Sequence, residues 1–197
     1  MNDKIRICVA SYWNDEKRIN GLYCFLYSML NQTYQNFEII FAHDGEIRDK
    51  TLKQKIEAIS DKVKVLDNLP RKEQWGYPHR YFTAMIKPHA DWVLFTNDDN
   101  YYVPNFLEIM LNTAIKSNSD FIYCDTLTKN DPNRHYVVMN TFPEPGRIDM
   151  GSFITKMELI KNNEWSDYTG SADGFYAKRL STQTNSVKAP GVLFIHN

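Results

Sequence analysis

Apolar residues along this chain fall into two rhythms. Short unbroken runs at 5–10, 37–42, 63–66, 92–96 and 121–124 are rich in β-branched and aromatic side chains and read as buried strands. Between them, apolar positions return at helical spacing. Leu22, Tyr23, Leu26, Met29 and Leu30 do so within 17–31 and predict a helix with one apolar face. A short charged helix is expected over 51–59, and another over 74–87, after Pro70 and around Pro78. Pro104 opens a further helix running to Ser117, since proline in a first turn lacks only an N–H that had no partner. Strands alternating with helices over the first 125 residues imply βαβ units in a mostly parallel sheet with helices on both faces. Beyond Thr126 the alternation breaks down. It leaves a strand at 136–140, a helix at 156–161, a helix opening after Gly170 and a last strand at 191–196.

Such a sheet collects ligands outside the carboxyl ends of its strands. Ser11 and Tyr12, Asp44 and Gly45, and Asn97, Asp98 and Asp99 each follow a strand, so they are expected on one rim. The run from Val93 to Asn100 carries the most chemistry, because a buried strand ends there in two adjacent carboxylates. Adjacent acids repel unless a cation lies between them or one keeps its proton. Hard oxygen donors beside Asn97 and Asn100 suit Mg2+ or Mn2+ shared with a substrate's phosphates. An Asx-rich turn closing a strand accounts for the same residues equally well.

Bulk properties narrow the classes. A chain of 197 residues and 23.1 kDa is most simply one domain with a sizeable core. A formal charge of −1 gives no global pull toward nucleic acid or an anionic membrane. No apolar run approaches the roughly 20 residues that span a bilayer. Met1 to Lys4 lead directly into a strand without a secretory signal, and Cys8, Cys24 and Cys124 sit in apolar stretches. Buried thiols in a reducing, cytoplasmic compartment are therefore expected.

The segment from Arg6 through Ser11 and Tyr12 to Asn14, the run from Ser28 to Glu38 continuing to Asp44 and Gly45, and Asn97 to Asn100 followed by Pro104 together resemble family 2 glycosyltransferases. The resemblance covers nearly the whole chain, and Asn31 to Glu38 is its most specific part. It implies a GT-A fold, a Rossmann-like α/β architecture with a DXD-type metal motif. A nucleotide-binding half is expected at 1–125 and an irregular acceptor-side half at 126–197 of one domain. It further implies an inverting, metal-dependent hexosyltransferase of polysaccharide biosynthesis. Such an enzyme moves a sugar from a UDP-sugar to a hydroxyl on a glycan or lipid-linked acceptor.

Carried over by position, the resemblance places Ser11, Tyr12, Asn97 and Asp98 against the nucleotide, and Asp44 on its base or ribose. A turn aspartate before Gly45 is the plainer reading of Asp44. His79 and Arg80 lie where the family sets nucleotide- or phosphate-facing groups, although an ordinary solvated helix face would also hold them. Asp98, Asp99 and His196 are the implied ligands of Mn2+ or Mg2+, and an imidazole ligand favours manganese. Asp173 is the implied general base, with Asp149 its rival; Asp173 also suits a first-turn helix acid. Trp13, Trp75 and Trp165 could line a sugar site or simply fill the core.

The chain departs from the family pattern in three places. Ala10 stands where a proline is usual, Thr96 or Asn97 replaces the first acid of the metal motif, and Ala172 replaces the first of an acidic pair. Two competitors stand beside this reading. A nucleotidyltransferase would want a glycine-rich basic loop after the first strand, which Ser11 to Asp15 is not. A non-catalytic nucleotide-sugar-binding module is the other, with association to a further domain or a membrane surface left open.

Overall fold

The computed structural model describes every residue except Met1, Asn14, Glu73, 131–134, Asp167 and Tyr168; the side chains of Trp75 and Asn130 also lie outside the description. The chain begins β1 (Ile5–Ser11), α1 (Glu16–Leu30), β2 (Phe37–Asp44), α2 (Lys50–Glu57) and β3 (Val63–Leu69). It continues through α3 (Tyr77–Ala84), β4 (Trp92–Asn97), a two-residue β5 (Tyr101–Tyr102) and α4 (Phe106–Ser117). Then come β6 (Phe121–Asn130), β7 (His135–Met139), β8 (Phe153–Lys156), α5 (Met157–Lys161), α6 (Ala172–Ser181) and β9 (Ser186–His196).

These strands form one sheet in the order β3-β2-β1-β4-β8-β6-β9-β5, with β7 paired to β6. The first four strands in the chain are mutually parallel. β6 and β9 run the same way, while β5, β7 and β8 oppose them. The mostly parallel α/β expectation holds, with one difference. β6 does not neighbour β4 as a fifth βαβ strand would, because β8 is inserted antiparallel between them. Its apolar run, Phe153 and Ile154, was too short to read as a strand; only pairing on both sides stabilises it.

Strand periodicity explains the two-sided core. Ile5, Ile7 and Val9 on one face of β1 pack with Leu22 and Phe25 of α1, Leu52 of α2 and Met110 of α4. On the other face Cys8, Val93, Phe95 and Phe153 pack with Tyr77 of α3, Ile160 of α5 and Tyr176 and Leu180 of α6. The cysteines behave as expected in two of three cases: Cys8 and Cys124 are buried and Cys24 is exposed.

One charge breaks the apolar face of β1. The Arg6 guanidinium is 2 % exposed and pairs with Glu38 on β2 at 2.7 Å. Its remaining donors reach the carbonyls of Thr83 at 3.3 Å, Ala84 at 3.2 Å, Pro88 at 2.6 Å and also Ile86. Thr83 and Ala84 end α3 and Ile86 and Pro88 follow it, so one guanidinium gathers the carbonyls at the helix C-terminus, where intrahelical donors run out. At its other end α3 begins at Gly76, whose φ of 75° is left-handed. A Cβ there would stand 2.3 Å from that of Ala10, so only glycine lets the helix start against the end of β1. The helix is therefore fixed to β1 at both ends. We expect Arg6→Ala to cost about 3–5 kcal/mol, since it strands Glu38 and the helix-terminal carbonyls in the interior. Urea denaturation followed by circular dichroism measures this.

Candidate active site

The carboxyl ends of β1, β2 and β4 open onto a cleft of about 770 Å3. Ser11, Tyr12, Asp44, Arg80, Asn97, Asp98 and Asp99 line it from the nucleotide-binding side expected from sequence. Asp149, Asp173 and His196, from the second part of the chain, close the opposite wall.

At the end of β2, Asp44 is held from behind. Its Oδ1 accepts from the Lys72 backbone N–H at 2.7 Å and faces His79 Nε2 at 2.9 Å. His79 is itself buried and is not part of the cleft wall; it stands behind Asp44 rather than at a phosphate. Nearby, His43 Nε2 accepts the Trp13 backbone N–H at 3.0 Å while its Nδ1 lies 3.1 Å from the Gly45 carbonyl. Only the neutral ring protonated at Nδ1 satisfies both contacts, and burial lowers the pKa of this histidine in the same sense. The Tyr12 ring carries the Arg71 guanidinium 4.7 Å from its centroid. Among the described residues Ser11 Oγ, buried at the cleft, has no hydrogen-bond partner.

At the end of β4, Arg80 is 1 % exposed, not on a solvated helix face. Its Nε donates to the Thr96 carbonyl at 2.9 Å and its Nη2 to the Asn97 side chain, which pins the strand end that carries the acids. Asp98 is buried, and its Oδ2 accepts from the Trp13 indole Nε1 at 2.5 Å. Burial first, and then the charge of Asp99, push the Asp98 carboxyl up to about 7; the indole donor opposes them.

The far wall holds a second acid pair. Asp149 caps a tight turn through Gly151 N–H at 2.7 Å, and its Oδ2 is 3.8 Å from His196 Nε2. Asp173 sits in the first turn of α6 and accepts from Gly174 N–H at 2.9 Å. Burial, then the neighbouring Asp149 charge, raise its carboxyl to about 6. Helix α6 is pressed onto the loop between β7 and β8: a Cβ on Gly174 would stand 2.4 Å from Pro145 Cα.

With this arrangement in view, residues 9–179 match Glycosyl transferase family 2. The chain belongs to that family. Its fold is that of GT-A glycosyltransferases. It superposes on Staphylococcus aureus TarS 1-349 in complex with UDP with a TM-score of 0.76 and 15 % identity, over 98 % of this chain and 60 % of that one. The mannosyltransferase PcManGT from Pyrobaculum calidifontis, in complex with GDP-Man and Mn2+, gives 0.75 and 14 % over 100 % of this chain and 57 % of that one. By sequence the chain is 25 % identical, over 162 residues, to the Escherichia coli UDP-Glc:alpha-D-GlcNAc-diphosphoundecaprenol beta-1,3-glucosyltransferase WfgD. That alignment takes in 82 % of this chain and 57 % of the relative, so the family 2 chain spans little more than half of that protein's length.

Within the family 2 cleft the expected residues do not all play the expected part. Among the described residues, no three acidic, histidine or cysteine side chains come together as a ready cation cage. Asp98, Asp99 and His196 share the cleft, but the His196 ring lies toward Asp149. The donor chemistry nevertheless suits a hard divalent ion. Two adjacent carboxylates, one buried and raised by its neighbour, are what a cation bridged to phosphate oxygens would satisfy. Trp13 and Trp165 are buried off the cleft, Trp165 between the rings of Tyr77 at 4.7 Å and Tyr176 at 4.1 Å; neither is a sugar platform. The Trp75 side chain lies outside the described residues. Arg18 and Arg71 bring cations to the wall that the sequence reading passed over. Carboxyl carbon NMR should place the Asp98 titration near 7 and that of Asp173 near 6. Asp99→Asn should lower the first, and Asp149→Asn the second; two values that stay put would break the pairing.

Proposed function

We propose that this chain is the donor-binding and catalytic part of a metal-dependent, inverting glycosyltransferase that moves a sugar from a UDP-sugar to a hydroxyl of a glycan or lipid-linked acceptor. One observation carries the reading. Acids from distant segments, Asp44, Asp98 with Asp99, and Asp173 with Asp149, line a single cleft about 770 Å3 in volume, the size of a nucleotide-sugar site. Uridine is favoured because the Escherichia coli relative is named for UDP-Glc and the TarS structure holds UDP. A lipid-linked acceptor follows from that relative's name as well.

Asp44, anchored by Lys72 and His79, accepts from the base or ribose. Ser11 Oγ, without a partner among the described residues, supplies a further hydrogen bond to the nucleotide. Asp98 and Asp99, with His196 as the third candidate, would hold Mn2+ or Mg2+ against the diphosphate. The ion would neutralise charge on the departing UDP. Asp173 takes the proton from the acceptor hydroxyl. The hydroxyl oxygen then bonds to the anomeric carbon from the face opposite UDP, and the bond to the β-phosphate oxygen breaks with its electron pair leaving on UDP. A base raised to about 6 is deprotonated at neutral pH yet still basic enough to take that proton. No described helix is long and apolar enough to cross a membrane. Any anchoring or further domain would be additional to this cleft.

Calorimetric titration of UDP with Mn2+ should give binding that Asp98→Ala and Asp99→Ala each weaken by tenfold or more, on the order of 1.4 kcal/mol. Undiminished affinity and donor turnover in both variants would sink the assignment. Asp173→Asn should cut kcat by about 10^2–10^4 and leave UDP affinity within about twofold. In the unaltered chain kcat should fall as pH drops through about 6, because the protonated carboxyl cannot act as base.

A further inference from the structure

The least explained group near the cleft is Trp13. Its side chain is 3 % exposed and forms no part of the cleft wall, and its ring meets Phe41 edge-on at 5.6 Å. Packing alone would not require a polar partner of such strength. A buried indole N–H needs an acceptor, and the one present is the Asp98 carboxylate at 2.5 Å. The same residue's backbone N–H is held by His43 at 3.0 Å, and His43 in turn by the Gly45 carbonyl at 3.1 Å. One residue thus joins the end of β2, where Asp44 lies, to the end of β4, where the acid pair lies.

We propose that Trp13 is a positioning residue for nucleotide binding: its indole N–H occupies Asp98 Oδ2 and so leaves one fixed oxygen, Oδ1, for the diphosphate end of the cleft. A buried carboxylate oxygen that loses its donor is costly, and the group turns to find another. Without the indole, Asp98 keeps only the contact with its own backbone N–H, and its orientation must be restored each time the nucleotide binds. The strand-end link through His43 makes the effect specific to this tryptophan: the backbone holds the ring in place while the ring holds the acid.

This inference rests on the nucleotide reading above, and the test separates the two. Trp13→Phe keeps an aromatic ring against Phe41 and removes the N–H. UDP is titrated calorimetrically in the presence of Mn2+ into the unaltered chain, Trp13→Phe, Asp98→Asn and the double variant. We expect Trp13→Phe to weaken UDP about tenfold when Asp98 is present and less than about twofold in the Asp98→Asn background, since residues in contact do not act additively. An equal cost in both backgrounds would show that Trp13 acts only through packing and would overturn the proposal alone. Absence of UDP binding by the unaltered chain would overturn it together with the donor assignment. A second readout does not depend on Trp13→Phe folding. In protein labelled with 15N-tryptophan, the Trp13 indole N–H resonance should move upfield in Asp98→Asn and hold its position in Asp99→Asn; no movement in the first refutes the contact.

Discussion

Several carboxylates kept close together in a partly dehydrated cleft set the terms for everything else in this structure. Like charges at short range repel more strongly as water is removed, so such a group persists only with a fixed counter-charge or with some acids protonated. Both devices are present. Arg80, buried against the end of β4, lies within electrostatic reach of Asp98, Asp149 and Asp173, and these acids offset the effect of its burial. Even with this guanidinium and with Arg18 near Asp98, Asp98 and Asp173 hold their protons to unusually high pH.

Arg80 works only if α3 is held rigid. The helix is fixed at its start by the contact of Gly76 with Ala10 and at its end by Arg6, both anchored in β1. From it His79 reaches Asp44 and Arg80 reaches Thr96 and Asn97. A central strand, one short helix and two strand ends therefore form a single mechanical unit. Replacing Ala10 by the family's usual proline would put a bulkier ring at the end of β1, where Gly76 now makes contact. Glycine and alanine at these positions fit one another.

Much of this was legible beforehand. The parallel strands announced themselves because burial on both faces requires continuous apolar runs, and the strand-end rule then gathered Ser11, Tyr12, Asp44 and the Asp98–Asp99 pair on one rim. What stayed hidden depends on contacts between distant segments. β8 is too short to show a period and exists through its two neighbours. His79 and Arg80 were read as ligand-facing because a helix pattern gives a face, not what lies behind it; His79 stands behind Asp44, while Arg80 lines the cleft and also braces the end of β4. Trp13 and Trp165 had equal standing as sugar platforms and as core. Only the folded chain shows that one stacks between two tyrosines while the other donates to Asp98.

The same logic divides the two acids of the far wall. The Asp149 charge adds to the cost of ionising Asp173, and two acids in one site are sorted by their partners. Asp149 has one oxygen on the Gly151 N–H and the other facing the His196 ring at 3.8 Å. Asp173 has one oxygen on the Gly174 N–H, and burial holds its proton to higher pH than usual. Proton transfer needs an oxygen that is not already committed and a carboxylate basic enough to compete for the hydroxyl proton. On the function proposed above, Asp173 is the acid that meets both conditions, whereas Asp149 fixes the turn before β8 and faces His196. The alanine at position 172 then matters less than the missing acid would suggest. In this chain the second carboxylate of the far wall comes from the turn before β8, not from the residue next to the proposed base.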